Sequence, residues 1–108
     1  MAVIRLTKEF SFETAHTLVG YDGPCREIHG HSYRLFVTVR GEPSADEADP
    51  KYGMAMDFGE LKRIVGETIV QRYDHALVVR RTEANASWVD ALRRSFANVV
   101  TTPYQPTC

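Results

Sequence analysis

From Ile4 to His16 the even positions read Ile4, Leu6, Lys8, Phe10, Phe12, Thr14 and His16, while the odd ones include Arg5, Thr7, Glu9, Ser11 and Glu13. This period of two predicts a long, half-buried strand. The same period returns at His29, where His29, His31, Tyr33, Leu35, Val37 and Val39 alternate with Arg34, Phe36, Thr38 and Arg40 up to Gly41. Between them "GYDGPC", Gly20 to Cys25, supplies glycine, aspartate and proline for a loop. The two strands are expected to pair as an antiparallel hairpin with a long loop of the kind that carries function.

The period then changes. In "MDFGELKRIVGETIVQRY" the residues Phe58, Leu61, Ile64, Val65 and Ile69 fall on one helical face. Asp57, with Glu60 three positions later, has the form of an N-terminal capping box. Its role is therefore read as a cap rather than a catalytic acid, and Gly66 weakens the middle of the helix. Ala86 to Phe96 suits a second helix with Trp88, Val89, Leu92 and Phe96 buried, and Val99 to Thr102 suits a short strand. "EPSADEADPKYG", Glu42 to Gly53, is acidic and rich in turn formers, hence a solvated connection. The order strand, strand, helix, helix argues for an α+β fold with antiparallel pairing.

Length and charge narrow the reading. With 108 residues, 44% of them hydrophobic and 25% charged, residues 1–108 form one globular domain with a modest core. A deep pocket is more easily completed by a second subunit at this size. The formal charge of −1 gives no global attraction to nucleic acid or to an anionic membrane. No apolar run approaches a membrane span and no charged start precedes an apolar leader, so the chain reads as cytoplasmic. Cys25 and Cys108 form no disulfide framework, which fits a reducing compartment.

Candidate chemistry gathers where the two strands meet. By alternation His16 lies on the apolar face at the end of the first strand, and His29 with His31 lies on that face at the start of the second. A single inward histidine is ordinarily a core residue with a satisfied hydrogen bond. Three imidazoles at one hairpin end instead suggest a zinc site with an open fourth position. Cys25, four residues before His29, leaves two readings: a fourth ligand that closes the site, or a free nucleophile or base whose thiol is acidified by its neighbours. Asp74 and His75 in "YDHAL" are either a surface pair or an oriented base, and the second requires irregular backbone because neighbours on regular structure point apart.

Taken together, "FSFETAHTL", "CREIHGHSY", "MDFGELK" and "YDHALV" resemble, in order and over nearly the whole chain, the 6-pyruvoyl-tetrahydropterin synthase and 6-carboxy-tetrahydropterin synthase superfamily. The three-residue gap between Cys25 and His29 is more similar to the bacterial 6-carboxy enzymes of queuosine precursor synthesis than to the animal biopterin enzymes. The resemblance implies the tunnelling fold: an antiparallel sheet with two helices between its second and third strands, closed into a barrel by trimerisation, with two trimers stacked into a homo-hexamer. It implies that His16, His29 and His31 bind zinc, that Cys25 is the catalytic base, and that Asp74 and His75 assist from a neighbouring subunit.

The implied substrate is 7,8-dihydroneopterin triphosphate. Its side-chain hydroxyls would meet zinc acting as a Lewis acid, Cys25 would remove a carbon-bound proton, and His75, oriented by Asp74, would relay protons. Triphosphate leaves, and in the 6-carboxy branch acetaldehyde as well, with no redox cofactor. Family members continue past a "PT-x-E-N" segment into a further helix and a last strand whose glutamate grips the pterin. Here the sequence stops at "QPTC", so the resemblance implies a C-terminal truncation. Glu27 matches no clear family register, and Arg26 and Lys8 are read as solvated rather than as triphosphate ligands. The alternatives are a 6-pyruvoyl product from the same substrate, or a non-catalytic homologue that binds zinc or pterin.

Overall fold

The computed structural model describes residues 2–107; Cys108, read above as an unpaired thiol, lies outside the described residues. Strands β1 (Ile4–His16) and β2 (His29–Gly41) have the predicted bounds, and a single 3-10 turn, Pro24–Arg26, interrupts the loop between them. Helix α1 (Phe58–Val65) runs into a π-helical turn, Gly66–Val70, and a last short piece, α2 (Gln71–Tyr73). Then follow β3 (Ala76–Arg80), α3 (Ala86–Ser95) and β4 (Val99–Thr102).

The strands form one sheet in the order β2-β1-β3-β4. Side chains meet across β1 and β2 at Thr7 with Thr38, Glu9 with Arg34 and Glu13 with Ser32. One number rises as the other falls, so this pair is antiparallel, as expected. Antiparallel pairing was expected throughout, and there the structure differs. β3 runs parallel to β1, with Thr14 opposite Ala76, and β4 runs parallel to β3, with Leu77 opposite Val99. The sequence pattern had left β3 unassigned because a strand buried between neighbours reads as a continuous apolar run, here "ALVV", with no alternation. β3 also falls between the helices, which makes Val99–Thr102 the fourth strand and α3 the crossover that a parallel pair requires.

The chain divides into two compact units. The first joins residues up to Ser11 with Arg34–Val70. In it Asp57 caps α1 by accepting from the Gly59 amide at 2.8 Å, and that N–H, with Lys51 at 3.2 Å, holds its carboxyl below the usual range. Leu61 and Val65 are buried, whereas Phe58 and Ile64 of the same apolar stripe remain exposed. The helix changes register at Gly66, where glycine's extra backbone freedom weakens the α-helical ladder. The Glu42–Gly53 connection braces itself, with Ser44 and Met54, and Gly53 and Ser44, bonded through their backbones.

The second unit holds Phe12–Tyr33 and the chain from Gln71 onward. Its core is Ala76, Val78 and Val79 of β3 against Val89 of α3, and both Val79 and Val89 are 0% exposed. Trp88 and Phe96, expected in the core, are 40% and 62% exposed. The buried stripe of α3 is centred on Val89, and a helix turns each successive side chain by roughly 100°, which carries Trp88 away from it. Asn85, also buried, accepts from the Thr82 amide and donates to the Arg80 carbonyl, closing the loop between β3 and α3.

Candidate metal centre

β1 delivers His16 to its inner face at the point where β2 begins, and this brings three imidazoles together. The ring centroids of His16 and His29 are 4.5 Å apart, and those of His31 lie 5.0 Å from each. One nitrogen from each of the three falls within 4.8 Å of the others.

Hydrogen bonds set the ring tautomers. His16, only 4% exposed, has Nδ1 at 2.6 Å from the Pro106 carbonyl oxygen. His29 has Nδ1 at 2.8 Å from the Glu27 carbonyl oxygen. A carbonyl only accepts, so each Nδ1 must carry the proton, and each Nε2 then presents a lone pair. His31 Nε2 lies 3.1 Å from His16 Nε2. Two nitrogens bound to one tetrahedral zinc at about 2.05 Å would stand roughly 3.3 Å apart. The donor set therefore fits a divalent cation: three imidazoles, the second nitrogens of His16 and His29 held by carbonyls, and a spacing between His16 and His31 close to a coordination edge.

Cys25 is not part of that cluster among the described residues. It sits half-buried on the 3-10 turn, which is tied to the end of β1 by the Leu18 amide donating to the Cys25 carbonyl at 3.0 Å and by the Thr17 hydroxyl donating to the Arg26 carbonyl. Of the two readings left open by spacing, the closed four-ligand site finds no support in this arrangement.

Asp74 and His75 meet in the way their adjacency forbids on regular backbone. His75 adopts φ +56°, a left-handed conformation in which histidine is several-fold enriched among non-glycine residues. Its Nδ1 then donates to Asp74 Oδ1 at 3.0 Å. That oxygen also accepts from the Glu13 amide at 3.0 Å, while the His75 amide donates to the Glu13 carbonyl at 2.6 Å and the Thr14 hydroxyl donates to the Tyr73 carbonyl at 2.7 Å. The Glu13 N–H first, and the His75 ring after it, hold the Asp74 carboxyl below the ordinary carboxylate value.

The two chemistries face one cavity of about 750 Å³, lined by His31 and His75 with apolar walls from Ile28, Leu92, Phe96 and Val99. Cys25 does not line it. Arg26 pairs with Glu27 at 3.7 Å, and the Lys8 ammonium rests 5.8 and 5.9 Å from the Phe10 and Phe58 rings. Sequence reasoning missed Glu13, whose carboxylate accepts from the Ser32 hydroxyl at 2.7 Å on the cavity wall, because it reads as an ordinary outward strand residue. It missed Pro106 because a backbone carbonyl leaves no trace in sequence.

The sequence profile of the 6-pyruvoyl tetrahydropterin synthase family matches residues 5–107. The chain belongs to this family. Among curated tetrahydropterin synthases it is similar to a 6-carboxy-5,6,7,8-tetrahydropterin synthase of Haemophilus influenzae, with 39% identity over 90 residues that cover 83% of this chain and 62% of that protein. It is also similar to one of Synechocystis sp., with 37% identity across 78% of this chain and 70% of that protein. The chain thus spans about three-fifths of the Haemophilus relative. A 6-pyruvoyl tetrahydropterin synthase from Caenorhabditis elegans superposes with TM-score 0.57 at 29% identity, over 71% of this chain and 59% of that one. A protein of Wolinella succinogenes, at 16% identity and TM-score 0.70, shares the fold over 99% of this chain and 77% of its own. No helix among the described residues is long and apolar enough to cross a membrane.

Proposed function

We propose that the protein is a zinc-dependent lyase that converts 7,8-dihydroneopterin triphosphate and water into 6-carboxy-5,6,7,8-tetrahydropterin, acetaldehyde and triphosphate. The observation that carries the reading is the cluster of three imidazoles, two of them held through Nδ1 by backbone carbonyls, whose His31 lines the same cavity as the Asp74-oriented His75. The similarity to the Haemophilus and Synechocystis 6-carboxy-5,6,7,8-tetrahydropterin synthases favours the 6-carboxy product over the 6-pyruvoyl one.

In this reading His16, His29 and His31 hold zinc, which when bound supplies Lewis-acid polarisation of the substrate's side-chain hydroxyls. The remaining work falls to the chain's own groups. Asp74 fixes the proton on His75 Nδ1, so His75 Nε2 is the nitrogen that takes up or returns a proton beside the substrate. Cys25 is the base that removes a carbon-bound proton from the substrate's side chain. The apolar walls of the cavity offer a surface on which the pterin ring can rest. The protein works in the cytoplasm within queuosine precursor synthesis, and it assembles as a homo-hexamer of two trimers with sites between subunits.

Zinc-loaded protein incubated with 7,8-dihydroneopterin triphosphate should yield 6-carboxytetrahydropterin and acetaldehyde by mass spectrometry. Recovery of 6-pyruvoyltetrahydropterin would replace the product assignment. Unconsumed substrate in the presence of fully loaded protein would refute the enzymatic reading and leave a binding homologue.

A further inference from the structure

Beyond β4 the chain folds back onto His16. Thr102 Oγ1 donates to the Tyr104 carbonyl at 2.6 Å, which shapes the turn. Gln105 Nε2 then donates to the Val19 carbonyl at 3.0 Å, three residues past His16. The next residue, Pro106, accepts the His16 Nδ1 proton at 2.6 Å. Each part of this segment suits a rigid acceptor. A residue before proline is confined to extended backbone, the pyrrolidine ring fixes φ near −65°, and proline has no N–H to compete for partners. The placement of Gln105 is also costly. Its Oε1 is buried with no donor among the described residues, and leaving such a group unsatisfied costs stability. A glutamine serving only itself would turn that oxygen to water.

We propose that Gln105 and Pro106 form a clamp that positions His16 for metal binding. Gln105 anchors the segment to Val19, and the anchored Pro106 carbonyl keeps the proton on His16 Nδ1 and the lone pair of Nε2 in the cluster. Gln105 is a positioning residue, acting on the metal only through Pro106 and His16. The clamp rests on the metal reading of the three imidazoles, and it goes beyond it by assigning what sets the affinity.

The test measures zinc affinity by chelator competition and the visible spectrum of the cobalt-substituted protein for the wild type, Gln105→Leu and Gln105→Glu, with Thr107→Ala as a neighbouring control. Both Gln105 variants lose the donor to Val19. Each should bind zinc at least about 10-fold more weakly and shift the cobalt bands, as loss of an outer partner of a ligating histidine does; the control should match the wild type. Affinities of both variants within threefold of the wild type would overturn the clamp. Should the variants fold poorly, the zinc-free wild type decides: long-range nitrogen-proton spectra must show His16 protonated at Nδ1, and an Nε2-protonated ring overturns the proposal. A wild type that binds no zinc overturns the metal reading and the clamp with it. Clamp-dependent zinc binding without turnover sinks only the enzymatic reading.

Discussion

His31→Ala separates metal binding from folding more cleanly than any other change at the site. His16 is buried and bonded to Pro106, so its loss would leave a cavity and an unpaired carbonyl as well as an empty ligand position. His31 is exposed, and its Nε2 lies against His16 Nε2. Its truncation therefore removes little apolar burial, and surface substitutions of this kind stay within about 0.5 kcal/mol of the parent. The effect on metal is far larger. If a full zinc site contributes of the order of 10–16 kcal/mol, one of three protein ligands accounts for at least about 3 kcal/mol even after a water takes its place. At 1.4 kcal/mol per factor of ten, that is a loss of at least roughly 100-fold in affinity. Zinc affinity comes from chelator competition, stoichiometry from metal analysis of dialysed protein, and fold integrity from thermal unfolding of the metal-free form. The reasoning fails if His31→Ala keeps one tightly bound zinc per chain, within threefold of the wild-type affinity. It fails equally if the metal-free variant is unfolded, since the structure gives this side chain no share in the core.

Cys25→Ala should retain its zinc and lose turnover of dihydroneopterin triphosphate; unchanged turnover removes the thiol from the chemistry, and lost zinc restores it as a ligand. Val89→Ala removes two methyl groups from a fully buried site, a transfer loss of about 1.6 kcal/mol to which the cavity adds, so about 2–3 kcal/mol in all by urea unfolding; a change below about 1 kcal/mol would mean that α3 does not pack as described. The Asp74 carboxyl titrates below its ordinary value of 3.8, so it contributes stability that is fully present above that value and fades as the pH falls through its lower, folded one. Asp74→Asn should therefore flatten the stability difference between neutral solution and pH 3, and a carbon-detected titration should place the Asp74 midpoint below 3.8; a midpoint above it contradicts the hydrogen bonds from Glu13 and His75.

Much of the hairpin was legible because its signals are local. β1 and β2 begin and end where the alternation does, since one wetted face and one covered face impose period two on both. Asp57 caps α1 as its spacing indicates, and Gly66 marks where that helix changes register, because capping and backbone freedom act within a few residues. β3 escaped notice for the opposite reason: flanked by β1 and β4, its "ALVV" has no polar face to alternate with. Trp88 was misplaced because periodicity gives the width of an apolar stripe on α3 but not its centre, which packing put at Val89.

The candidate site divides along the same line. Sequence by itself determined the candidate ligands: strand alternation puts His29 with His31 on one face of β2 and His16 on the apolar face of β1, because side chains of a strand alternate regardless of what surrounds them. Only tertiary structure decided how they are held. The left-handed backbone of His75, the carbonyl of Pro106 against His16 and the anchor from Gln105 to Val19 all join residues distant in the chain or depend on main-chain atoms that every residue shares. Residue identity carries no information about such contacts, so the three clustered imidazoles could be read in advance, while the groups that orient them required the folded chain.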